Sequence, residues 1–148
     1  MSLLRGCGYL SLECLTGNSL QLEMALYIGS IVIHVSDVER ARKFWQGALG
    51  YTPRDADWAR DSSDFIVLCD PKRRWANVSL QLWPEPKVGR NRLHLDLYCD
   101  NQEAEVERLE ALGAVRLDWD YEPDADFVVM ADPDGNEFCV VSSPFTQD

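Results

Sequence analysis

DFIVLCDP at 64–71 and DFVVMADP at 126–133 say the same thing twice. The tripeptide ALG precedes each of them, at 48–50 and at 111–113. The two matches keep the same order, with offsets of 63 and 62 residues. Such agreement marks an internal duplication, which has to be read before any single element.

Outward from this phrase, each copy has the same parts. A strand opens it, YIGSIVIHV at 27–35 or RLHLDLYC at 92–99. An aspartate, Asp37 or Asp100, stands where a helix N-cap belongs. The helix is VERARKFWQGAL at 38–49 or NQEAEVERLEAL at 101–112. Ala41, Phe44, Trp45 and Leu49 form one apolar stripe; Ala104, Val106, Leu109 and Leu112 form a less regular one. Trp45 reads as core. Gly50 or Gly113 ends the helix. Then come an irregular strand, the strand of the repeated phrase, a turn at Asp70-Pro71 or Asp132-Pro133-Asp134-Gly135, and a closing strand, NVSLQLW at 77–83 or EFCVVS at 137–142. The fold class is therefore α+β: two tandem βαβββ modules forming curved sheets around a cavity. Module one is 27–83, the linker PEPKVGRN is 84–91 and module two is 92–143, all within a single domain, 24–148. Residues 1–23 read as an N-terminal extension, disordered or artefactual, with a swapped or edge strand as the alternative.

Strand alternation separates the faces. Ile31, Ile33 and Val35, like Leu93, Leu95 and Leu97, are expected against the helices. The opposite faces carry Ser30, Val32 and His34 in one copy and His94, Asp96 and Tyr98 in the other. On the closing strands the same side carries Ser79, Gln81 and Trp83, then Glu137, Cys139 and Val141. If the sheets wrap one space these residues converge, and polar groups among aromatics are the usual lining of a small-molecule cavity. His94 and Asp96 share a face and suit general acid–base chemistry. Cys139 as a nucleophile is the weaker idea, since a single buried cysteine usually behaves as a small hydrophobe.

The formal net charge of −11 repels phosphate backbones and argues against a nucleic-acid partner. The charge serves solubility, and it also attracts cationic small molecules. The five cysteines are an odd number with no CxxC pair, which argues against a disulfide framework and for a reducing cytoplasm. No apolar run approaches the ~18 residues that span a bilayer, so no membrane partner is expected. The first residues lack the continuous apolar core of a signal peptide. Phosphate-loop, dinucleotide and nucleophile-elbow motifs are absent. PKRR at 71–74 reads as a solvated turn.

The βαβββ duplication, with DPDGNEFCVV at 132–141, NRLHLDLYCD at 91–100 and LGY after the first helix, resembles the vicinal oxygen chelate superfamily. That superfamily holds glyoxalase I, extradiol dioxygenases, and fosfomycin and bleomycin resistance proteins. The similarity covers about residues 25–143, and its nearest flavour is the glyoxalase-like domain group of small bacterial proteins. The resemblance implies one divalent metal held by the first and last strands of each copy, at positions that here are Ser30, Gln81, His94 and Cys139. His94 suits a metal and Gln81 is an admissible ligand. Ser30 stands where His, Gln or Glu is expected, and Cys139 where a glutamate is. Glu137 lies two residues earlier on the same face, shifted by one pleat repeat of ~7 Å.

One histidine and one glutamine make a poor site for a hard divalent ion. No cofactor is therefore expected, and a divalent metal on His94, Gln81 and Glu137 or Cys139 is the alternative. The expected function is that of a glyoxalase/bleomycin-resistance-like protein. It would bind a small organic molecule through Ser30, His34, Gln81, Trp83, Tyr98, Glu137 and Cys139, with His94 and Asp96 as the acid–base pair. A metal-dependent lyase, isomerase or dioxygenase is the second reading. A purely structural or interaction role is the third, and it needs the cavity filled by side chains. The resemblance also implies a homodimer.

Overall fold

The computed structural model describes residues 26–54 and 64–143. Residues 1–23, with Cys7 and Cys14, lie outside them. The described elements are β1 (Ser30–Val35), α1 (Val38–Leu49), β2 (Thr52–Pro53), β3 (Phe65–Cys69), β4 (Asn77–Leu82), β5 (Leu95–Cys99), α2 (Gln102–Ala111), β6 (Val115–Arg116), β7 (Phe127–Ala131) and β8 (Glu137–Ser142). They form two four-stranded sheets of identical topology, β1-β4-β3-β2 and β5-β8-β7-β6. In each, the first strand pairs parallel with the last and the remaining pairs are antiparallel. The helix supplies the crossover that a parallel pair requires. This is the α+β duplication expected from the repeat.

Helix α1 keeps its expected bounds. The Asp37 carboxylate accepts from the Arg40 N–H at 2.9 Å, and Gly50, in the left-handed region at φ 65°, closes the other end. Helix α2 departs by one residue. Asn101, rather than Asp100, caps it by accepting from the Ala104 N–H. The reason is Gln102, whose side-chain amide donates to the carbonyls of Asp126 and Val140 and so draws the first turn onto the second sheet. Only Val106 and Leu109 of α2 are buried.

Both opening strands start three residues later than alternation predicts, because ladder pairing begins at Ser30↔Asn77 and Leu95↔Phe138. Leu93 therefore precedes its strand and is 67% exposed instead of packing on a helix. The helix-bearing faces of the two sheets share one core. Val35, Ala41, Phe44, Trp45 and Leu80 from the first module meet Val106, Leu109, Met130, Phe138 and Val140 from the second. The buried Trp45 indole packs 5.7 Å from the Phe138 ring and donates to the Asp132 carboxylate at 3.1 Å.

Polar ties across the modules fix their relation. Asp134, in the turn between β7 and β8, accepts from the Ser36 N–H, the Ser36 hydroxyl and the Arg40 guanidinium. The Asn136 amide donates to the His34 carbonyl. Arg108 of α2 donates to the carbonyls of Gly47 and Ala48, satisfying the exposed end of α1, whose last turn has no basic residue of its own.

Candidate functional site

On the side of the second sheet away from the helices, Val129, Cys139 and Val141 form a small apolar cluster with Leu117, Trp119 and Phe127. This cluster floors a cavity of about 380 Å³. Its walls are β5, β7 and β8, and its rim comes from the linker and the 117–126 loop. The loop is held down by backbone pairing of Leu117 with Val129 and by the Tyr121 hydroxyl, which accepts from the Val129 N–H at 3.0 Å. Tyr121 also packs on Phe127.

Of the residues singled out from sequence, His94, Asp96, Tyr98, Glu137 and Cys139 line this cavity together. Ser30, His34, Gln81 and Trp83 do not. Ser30 shares a 2.6 Å hydrogen bond with the buried Ser79 on the first sheet. His34 stacks on Trp83 at 5.3 Å and borders a separate depression of about 460 Å³ beside the 133–136 turn. Gln81 is exposed. The modules join through their helix-bearing faces, and the 380 Å³ cavity belongs to the linker and the second module, while a smaller groove of about 240 Å³ brings Val32 and His34 of the first inner face beside His94 and Glu137 of the second. Nor is that cavity filled by large side chains, the condition for an interaction-only role.

The polar centre is built on β5 and its lead-in. The Asp96 carboxylate lies 3.0 Å from His94 Nδ1. A carboxylate at that distance keeps the proton on Nδ1 and leaves Nε2 as the acceptor. Cys139, paired in register with Asp96, puts its sulfur 3.9 Å from the same Nδ1. That nitrogen already serves Asp96, so His94 does not activate the thiol in the manner of a nucleophilic pair. Burial first, and the nearby Asp96 charge second, push the Cys139 thiol up to about 11. Cys139 is thus a protonated floor residue at neutral pH.

Glu137 is engaged elsewhere. It accepts from the Asn91 N–H at 2.8 Å and pairs with Lys87 at 3.0 Å, anchoring the linker. Burial alone would raise its carboxyl, but these donors hold it below the usual carboxylate range. Sequence reasoning missed Arg90, Asn91, Trp119, Asp126, Phe127 and Val129, which also line the cavity. Only the aromatic-acidic run LDWDYEPD at 117–124 offered a signal for Trp119. His94, Asp96 and Cys139 bring three ligand-type atoms within 4.8 Å of one another.

A family model described as glyoxalase-like domain matches residues 30–141. No curated protein matches the chain. Among solved structures, the chain is similar to a glyoxalase/bleomycin resistance protein/dioxygenase family enzyme from Burkholderia phytofirmans, with 20% identity, TM-score 0.59 and coverage of 76% of this chain and 95% of that one. It is similar to the fosfomycin resistance protein FosX from Mesorhizobium loti, with 16% identity, TM-score 0.62 and coverage of 84% and 97%. It is also similar to a mutant FosX from Listeria monocytogenes complexed with Mn(II) and a dihydroxypropylphosphonic acid, with 12% identity, TM-score 0.62 and coverage of 82% and 93%. At these identities the likeness is one of fold.

Proposed function

The chain belongs to the glyoxalase-like domain family, and from that premise we propose that it binds a small organic molecule in the second-module cavity, without a complete metal site. The observation that carries this reading is the cavity itself. About 380 Å³ is the size of a small-molecule site, and a His94–Asp96 pair is set among Tyr98, Trp119 and Phe127. The aromatic faces hold the ligand's body. Asp96 orients His94, and Nε2 accepts a hydrogen bond or a proton from it.

The donor set does not fit the Mn(II) found in the Listeria relative. Manganese favours carboxylate, carbonyl and water oxygens. Here the one cavity carboxylate on β8, Glu137, is held by Lys87 and Asn91. The next position on that face is a thiol whose proton is held well past neutrality. A metal-dependent lyase, isomerase or dioxygenase is the second reading, favoured by the three clustered donors. Their sulfur would suit zinc better than manganese.

The protein acts as a homodimer in this reading, with the first module's exposed inner face covered by a second copy. Val32 and Trp83 are each 49% exposed there, and a second copy would cover them. Cys99 and Cys139 form no disulfide, which suits the cytoplasm. Among the described residues, no helix is long and apolar enough to cross a membrane.

Two measurements test the reading. The first is metal content by mass spectrometry after incubation with Mn²⁺, Fe²⁺, Co²⁺, Ni²⁺ and Zn²⁺ and removal of the excess. One ion per chain, lost in His94→Ala, would replace this reading by the metal-dependent one. The second is a ligand screen by thermal shift. Compounds that stabilise the protein, and do so less with His94→Ala or Trp119→Ala, support the binding site. Stabilisation indifferent to both substitutions removes the cavity as the site.

A further inference from the structure

The cavity already holds a cation, and that cation belongs to the chain. The Arg90 guanidinium lies 4.2 Å from the centroid of the Trp119 ring, inside the rim that both residues help to form. Among the described residues it makes no ion pair, although Asp96, Asp126 and Glu137 line the same space. Glu137 is neutralised by Lys87. Asp96 meets the His94 ring and the Cys139 thiol, and among the described residues no lysine or arginine pairs with it or with Asp126, so the two carboxylates outnumber Arg90. The linker presents Arg90 in this place. Lys87 donates to the Gly89 carbonyl and to Glu137, and Gly89 sits at φ 74°, a turn that glycine permits.

We propose that Arg90 is an internal stand-in for the ligand, and that the cavity's ligand class is the planar organic cation: an amidinium, guanidinium or flat aromatic ammonium. This rests on the binding reading above and names its chemistry. An indole face flanked by two carboxylates recognises a flat cation by cation–π contact and charge. A ligand that takes the Trp119 face must first turn Arg90 out, so the free protein is self-occluded.

The test titrates benzamidine, its neutral counterpart benzamide, and benzoate into the whole chain and into Arg90→Ala, by calorimetry. Arg90 is exposed, so the variant is expected to fold. The expected order is benzamidine over benzamide over benzoate. Arg90→Ala should tighten both benzamidine and benzamide by about two- to fivefold, the worth of one exposed cation–π contact. The neutral probe is decisive, because removing a charge without removing a competitor would tighten benzamidine alone. Tightening of benzamidine alone, an unchanged or weakened benzamidine, or no benzamidine binding to either protein overturns the inference. So does a preference for benzoate that disappears in Arg90→Ala, which would make Arg90 an anion anchor. A neutral or anionic compound that binds the cavity more tightly than benzamidine would sink this inference while leaving the binding reading intact.

Discussion

Arg73 and Gly135 hold the same place in the two copies. Each donates its N–H to the carbonyl of the aspartate that opens the turn, Asp70 or Asp132, at 2.9 Å, and each has positive φ, 53° and 81°. An L side chain in that region costs roughly 1–2 kcal/mol, which glycine avoids at some entropic cost. Gly135→Ala should therefore destabilise the protein by about 1 kcal/mol, and Arg73→Gly should be neutral or stabilise by a few tenths. Chemical denaturation of both variants checks the opposite signs. Cys139 gives a second residue-scale prediction. With its thiol at about 11 against an ordinary 9, the thiolate fraction at pH 7–8 is about a hundredfold lower than that of a free thiol. Alkylation mapped by mass spectrometry should be slow at Cys139 near neutrality and rise only as pH approaches that value. Fast labelling at pH 7.5 would mean that the thiol is activated. That a thiol replaces a carboxylate at 139 was legible in the sequence. That Glu137 is occupied by the linker was not, because Lys87 lies fifty residues away.

Elements were most legible where local chemistry sets them. Helix α1 has a cap, an apolar stripe and a terminating glycine, and it runs over the expected residues. Helix α2 shifted because a distant demand, two carbonyls of the second sheet met by Gln102, outweighed the local cap. The opening strands were overextended because alternation marks which residues could pair, while a strand lasts only where a partner runs beside it. The 117–126 loop alternates Leu117, Trp119 and Tyr121 with Asp118, Asp120 and Glu122, but it pairs with β7 only through Leu117 and the Tyr121 hydroxyl, so alternation alone did not place it at the cavity rim. The turn between β7 and β8 is the element on which the modules' relation depends. The Asp134 side chain is only 4% exposed and accepts three hydrogen bonds from β1–α1 residues. Asp134→Ala should lower stability by about 1–3 kcal/mol, since the Ser36 N–H loses its acceptor. Double-mutant analysis with Arg40→Ala should return a coupling energy, and strictly additive losses would show that the turn does not clamp α1.

At the scale of the molecule, the repeat announced two modules and their common topology. It did not announce how they sit together, because that is decided by a few long-range ties, Trp45 with Asp132 and Phe138, and Arg108 with the end of α1. The cavity that holds the His94–Asp96 pair is walled by the linker and the second module, and the inner face of the first module meets it at the neighbouring groove, where Val32 and His34 stand beside His94 and Glu137. Trp83, stacked on His34, stays half exposed on the first module. Light scattering at micromolar concentration should return twice the chain mass, and Trp83→Asp should return one chain mass with unchanged far-ultraviolet dichroism. A monomeric wild type would assign the exposed face another role.

The tie between Trp45 and residues 132–138 has a consequence for how the protein is made. Trp45 leaves the ribosome 87 residues before Asp132, the acceptor of its indole N–H. Until that stretch follows, the nascent first half carries an indole and Phe44 beside it without the second-module groups that cover them, a sticky surface awaiting its other half. A fragment ending at residue 88 should show poorly dispersed amide resonances and bind hydrophobic dyes. Adding the separately produced second half should restore dispersion if the native interface forms between them.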